Sequence, residues 1–138
     1  MCAAISRRGA IDGRTRYGVR RLAPLGIAAC VVSCTAPPLA PGEPHVVDRL
    51  PIAPYAAHEA CVDLEVGDRL DYRFQSSVPV DFEVRYREAN ATVSPIVRPH
   101  STGDSDIFQV RVAARYCLDW QAGIDGAIIG YRVQVRHG

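Results

Sequence analysis

Arg115-Tyr116-Cys117-Leu118-Asp119-Trp120 gathers a thiol, a carboxylate and the only Trp of the chain into six residues. A Cys beside an acid raises the question of nucleophilic chemistry, which needs a positioned base as well. The alternation argues otherwise. On a strand, Tyr116, Leu118 and Trp120 share one face and Cys117 and Asp119 the other. The stretch therefore reads as a central core strand, with Asp119 expected in a structural hydrogen bond or salt bridge. Ser76-Ser77 lacks a Gly-x-Ser-x-Gly elbow. Asp81 and Glu83 share an outward face, as a glycosidase pair would, but Arg85 and Arg87 continue that face, which suits cross-strand ion pairs. The four histidines, His45, His58, His100 and His137, form no HxH or HxxxH pair, so neither a metal nor a cofactor is expected. No catalytic residue is assigned, and the protein is expected not to be an enzyme.

What remains is a surface. Arg73, Asp81, Glu83, Arg85, Arg87, Arg111, Arg132 and Arg136 alternate with apolar residues, so they point outward. Arginine forks suit carboxylates, phosphates and interface anchors. Arg73, Arg85, Arg87 and Arg111 are the candidate partner surface; a solvated face is the plain alternative. All 16 basic residues are Arg, which reduces the meaning of Arg at any one position.

The elements that position these groups follow an address label. Arg20-Arg21 precede an eleven-residue apolar run, Leu22 to Val32, followed by Ser33-Cys34. A basic flank, a short apolar core and small residues at its end read as a secretory signal over residues 1–33. The run is too short for a stable membrane-spanning helix. Val31-Val32-Ser33-Cys34 resembles the bacterial lipobox, which implies lipidation of Cys34 as the first mature residue and a membrane anchor. Thr35, where Asp would signal inner-membrane retention under the enteric rule, implies the outer membrane. Residues 1–19 make a long leader, for which a start downstream of Met1 is expected. From Cys34 onward ten Arg face fourteen Asp and Glu, a formal net charge of −4. That balance argues against nucleic acid as a partner. Export also places Cys61 and Cys117 where a disulfide persists, stapling the Tyr116–Trp120 strand to the first strand.

Residues 34–56 hold six of the ten prolines and read as a semi-rigid tether, although Val46, Val47, Leu50 and Ile52 offer apolar surface to a folded domain. Over 57–138 the period is two. Val62/Leu64/Val66, Leu70/Tyr72/Phe74, Val80/Phe82/Val84/Tyr86, Thr92 to Val97, Phe108/Val110/Val112, Tyr116/Leu118/Trp120 and Ile129/Tyr131/Val133/Val135 predict about seven short strands. Pro95 assigns the fourth to an edge. Glu88 to Asn90, His100 to Asp104 and Gly123 to Gly126 are expected turns or loops. The fold class is therefore all-β, an antiparallel β-sandwich with one disulfide.

The Cys-bearing first strand, Gly67-Asp68-Arg69-Leu70-Asp71-Tyr72 with Phe74, the Phe82/Val84/Tyr86 strand, Phe108/Val110 and Tyr116-Cys117 resemble the GOLD (Golgi dynamics) domain and its bacterial relatives. The resemblance runs from His58 to Arg136. It implies a β-sandwich used for binding, and the Cys61–Cys117 bridge. Some bacterial relatives carry His where this chain has Arg85 and Arg87, so a metal there is not implied for this chain. The expectation is a lipid-anchored, periplasm-facing module that binds or assists other envelope proteins, with a small-ligand or metal-binding module as the alternative.

Overall fold

The computed structural model describes residues 39–40 and 42–138. The expected signal segment and the Cys34 lipidation site lie outside them. Six strands form one curled antiparallel sheet: β1 (His45–Ile52), β2 (Ala57–Leu64), β3 (Arg69–Glu88), β4 (Ala91–Gln109), β5 (Ala114–Gln121) and β6 (Ala127–Arg136). The order is β1-β6-β3-β5-β2, with β4 along β3. No helix occurs among the described residues.

The curl comes from β3. Its first half, Arg69 to Ser76, pairs with β6, and its second half, Asp81 to Tyr86, pairs with β5. Between them the β3–β4 register slips from Gln75 to Val80, and irregularities of this kind bend a strand. The even-numbered residues stay inward through the bend. Tyr72 and Phe74 therefore meet Phe82 of the same strand, with ring centroids 5.2 and 4.6 Å apart.

Three sequence expectations change at this point. The Leu70–Phe74 and Val80–Tyr86 strands are one continuous β3. The expected loop at His100 to Asp104 lies inside β4, which follows β3 around the bend. The sheet therefore has six strands rather than about seven. Pro95 and Pro99 are tolerated because β4 pairs only with β3, leaving its outer edge without ladder donors to supply. The stretch expected as tether contributes β1, whose Val47, Leu50 and Ile52 pack onto the core and whose register runs along β6 from Val133 to Ala127. Prolines flank that stretch on both sides, but the run His45–Leu50 contains no Pro and alternates well enough to pair.

Gly126 shows how closely the chain is packed at the β1 end. Its φ is +67° and a Cβ there would lie 2.6 Å from the Ile52 carbonyl oxygen, so both conformation and space exclude a side chain. Trp120 is fully buried, stacked on Tyr131 at 4.6 Å and beside Phe82 at 5.3 Å. Its indole Nε1 has no hydrogen-bond partner among the described residues. Such an orphan donor costs about 1–3 kcal/mol, which the apolar area of this aromatic cluster offsets at about 2 kcal/mol per large side chain.

Candidate functional site

The curl turns the two halves of the sheet outward in different directions, and each outer face carries its own chemistry. On the β3–β5–β2 half, Arg85, Cys117 and Cys61 form one row across three strands. Cys61 and Cys117 are joined, with their Cα atoms 4.0 Å apart. The Cys61 carbonyl instead accepts from Leu39 N–H on the far side of β2. The two Cys thus form a non-hydrogen-bonded pair, the kind that brings opposed side chains nearest. The bridge lies outside, opposite Tyr116 and Trp120, as the alternation predicted.

The next row is Glu83–Asp119–Glu59, three carboxylates directly opposed. Like charges so placed repel. Arg85 lies across them, donating to Glu59 at 2.7 Å, Asp119 at 3.1 Å and Glu83 at 3.3 Å, while Ser94 Oγ donates to the other Glu83 oxygen. The Glu59 hydrogen bond foremost, then Asp119 and Glu83, hold the guanidinium in its charged form against partial burial. Burial pushes the Asp119 carboxyl above its ordinary value, with Arg85 opposing and the flanking Glu59 and Glu83 adding to the rise. Arg85 is therefore committed to the protein itself. Glu59 also lies within 4.8 Å of both sulfurs, but a disulfide offers no thiolate to a metal.

The β1–β6–β3 half differs. Arg73 and Arg132 are directly opposed across β3 and β6, in a row that continues to Val46 on one side and Ser105 on the other. Beside them the β1 register slips between Val47 and Leu50. Arg49 sits in that bulge with φ +53°, a left-handed conformation that costs a side-chain-bearing residue about 1–2 kcal/mol. Arg49, Arg73 and Arg132, with Val46, Asp48, Ser76 and Gly130, line an open groove of about 610 Å³. None of the three arginines forms an ion pair among the described residues; Arg85, Arg98 and Arg136 do, while Arg69, Arg87, Arg111 and Arg115 do not.

The expected Arg surface is accordingly divided. Arg73 belongs to the groove and Arg85 to the acidic row. Arg87 follows Arg85 towards the β3–β4 turn, opposite Thr92, and Arg111 stands exposed between β4 and β5. Arg49 was missed because it lies in the Pro-rich stretch. A lone outward Arg beside Val46, Val47 and Leu50 carries no signal of a bulge.

Two histidines do come together. His58 on β2 bonds the Tyr131 hydroxyl at 3.0 Å and stacks on Trp120 at 5.8 Å. His45 on β1 lies 5.9 Å from the same Tyr131 ring. Burial lowers the His58 pKa, nearby His45 adds to this, and Glu59 opposes. The other two serve elsewhere: His100 N–H donates to Asp81 and His137 pairs with Asp68 at 3.0 Å. The serines of interest have structural work, Ser76 Oγ donating to the Val78 carbonyl and Ser77 Oγ accepting from Ile128 N–H. The chain matches no protein-family model and no curated protein sequence.

Proposed function

We propose that this chain is an exported lipoprotein, anchored through Cys34, whose GOLD-like β-sandwich is a non-catalytic binding or accessory module for other envelope proteins. The observation that carries the binding reading is the groove, which gathers three arginines without an ion pair among the described residues, two of them directly opposed across β3 and β6. Supporting the anchored reading are the lipobox-like Val31–Cys34 after the apolar run and a disulfide of the kind that persists outside the cytoplasm. No nucleic-acid role is proposed for a mature chain of net charge −4.

Replacing Cys34 by Ser should release the protein into the soluble fraction, and continued membrane association would sink the anchor. Pull-down of envelope proteins with the anchored form should lose its partners on Arg73→Gln; unchanged recovery would remove the groove from the partner reading. The alternative, a small-ligand module, is favoured by the concavity of the groove, since ligand sites are concave with a few placed polar groups.

A further inference from the structure

We infer that the groove of Arg49, Arg73 and Arg132 is an oxyanion site for a phosphate ester carrying an apolar group. The inference rests on the small-ligand reading of the domain and does not depend on the Cys34 anchor.

Three independent features converge on it. The first is charge. Directly opposed like charges destabilise a sheet, and the protein relieves the equivalent conflict on its other half by laying Arg85 over Glu83, Asp119 and Glu59. Arg73 and Arg132 have no such cover: Asp48 also lines the groove, but neither arginine forms an ion pair among the described residues, and Arg132 Nη2 donates to Gln134 Oε1 at 3.2 Å. An oxyanion between the two guanidinium groups completes the pairing, and bidentate forks are the geometry that Arg offers phosphate.

The second feature is backbone. The bulge in β1 and the left-handed φ of Arg49 place a third arginine along the same groove. Bulges re-aim side chains next to functional sites, and a strained residue is evidence for a role where the surroundings hold it.

The third is space. Gly130 lies mid-strand in β6, where glycine weakens a strand. Nothing in the fold demands it: a Cβ would meet only the Val47 carbonyl oxygen at 3.6 Å and Arg49 N at 4.0 Å, ordinary contacts. What Gly130 keeps open is the floor of the groove. The rim adds Val46 and Ile128, exposed at 55% and 41%, so the oxyanion is bordered by apolar surface. That combination suits a phosphate ester of an apolar alcohol, either a lipid headgroup or a soluble ester.

The test is calorimetric titration of the full chain in detergent with inorganic phosphate, hexyl phosphate and dihexanoylphosphatidylglycerol. Binding of hexyl phosphate tighter than inorganic phosphate is expected. Arg73→Gln and Arg132→Gln should each weaken it by about tenfold or more, the worth of a charge-assisted bond. Gly130→Val should abolish it while leaving the melting temperature unchanged or raised, because Val suits a strand. Equal binding of the lipid and hexyl phosphate supports a lipid headgroup as source, and loss of the lipid alone supports a soluble ester. No heat from any phosphate, or binding that survives both Gly130→Val and Arg73→Gln, overturns the inference. A response to triglutamate with none to the phosphates overturns the ligand class while leaving a protein-binding groove standing.

Discussion

The Cys61–Cys117 bridge allows a clean measurement of what one cross-link contributes to this fold. The cysteines are 56 positions apart in sequence. In the chain-entropy treatment, closing a loop of that size removes about 4 kcal/mol of unfolded-state freedom at 25 °C. For a domain of about 100 residues, 1 kcal/mol moves the midpoint by about 4–8 °C, so losing the bridge should lower the melting temperature by roughly 15–30 °C. Native strain or residual structure in the reduced chain pulls that figure down. The position of the bridge simplifies interpretation. Both cysteines are half-buried on the outer face, so the Cys61→Ser, Cys117→Ser double variant opens no cavity among Trp120, Phe82 and Tyr131. The drop therefore reports the cross-link and not lost packing. The assay is thermal unfolding followed by circular dichroism, with and without reductant, and alkylation followed by mass measurement to establish that both thiols are free. A midpoint that moves by less than about 3 °C with reduction complete would refute the reasoning.

Removing the cation from the acidic row by Arg85→Gln leaves Glu59, Glu83 and Asp119 opposed and should destabilise by about 1–3 kcal/mol in urea unfolding near neutral pH; a loss that does not shrink at acidic pH, where carboxylates protonate, would contradict the repulsion. His58 lies on the sole Trp, and a protonated imidazole quenches indole emission, so fluorescence should fall on acidification with a midpoint below 6.5 and His58→Gln should abolish the step. Because that folded pKa is depressed, its contribution to stability is complete above about 6.5 and is lost as pH falls towards the folded value; urea midpoints flat from pH 7 to 5 would deny it. Asp68 accepts from Glu65 N–H at 2.9 Å, and this bond above all, helped by His137, holds its pKa down against burial. Its stabilisation should therefore be present above about pH 4 and fade as pH falls through the lowered value, and Asp68→Asn should flatten that part of the acid limb in urea titrations.

The alternation of Tyr116, Leu118 and Trp120 made the interior of β5 readable, together with the outward placement of Cys117 and Asp119, because side-chain direction on a strand has a fixed period. The inward sets of β2 and β6 were legible for the same reason. The bend in β3 was not: Ser76 to Pro79 looks like any connection, and only the tertiary contact of Phe74 with Phe82 makes the two segments one strand turning a corner. β1 was obscured by the prolines around it. For the site, the outward Arg pattern was visible but its partition was not. Whether an Arg meets carboxylates or another Arg depends on register between strands distant in sequence, and register placed Asp119 beside Arg85 but Arg132 beside Arg73.

The two ends of the sheet are not equally secured. β2 is joined covalently to β5, whereas β1 is held to β6 by hydrogen bonds and a few apolar side chains, with a bulge in its middle. Local opening should therefore begin at β1, and amides of Val46, Val47 and Leu50 should exchange with solvent well before those of Val62 and Leu64. Arg49 travels with β1. Each such fraying event dismantles the arginine groove while the bridged remainder of the sheet stays folded, so groove occupancy and β1 docking are a single equilibrium, and a ligand that holds Arg49 should slow exchange along that strand first.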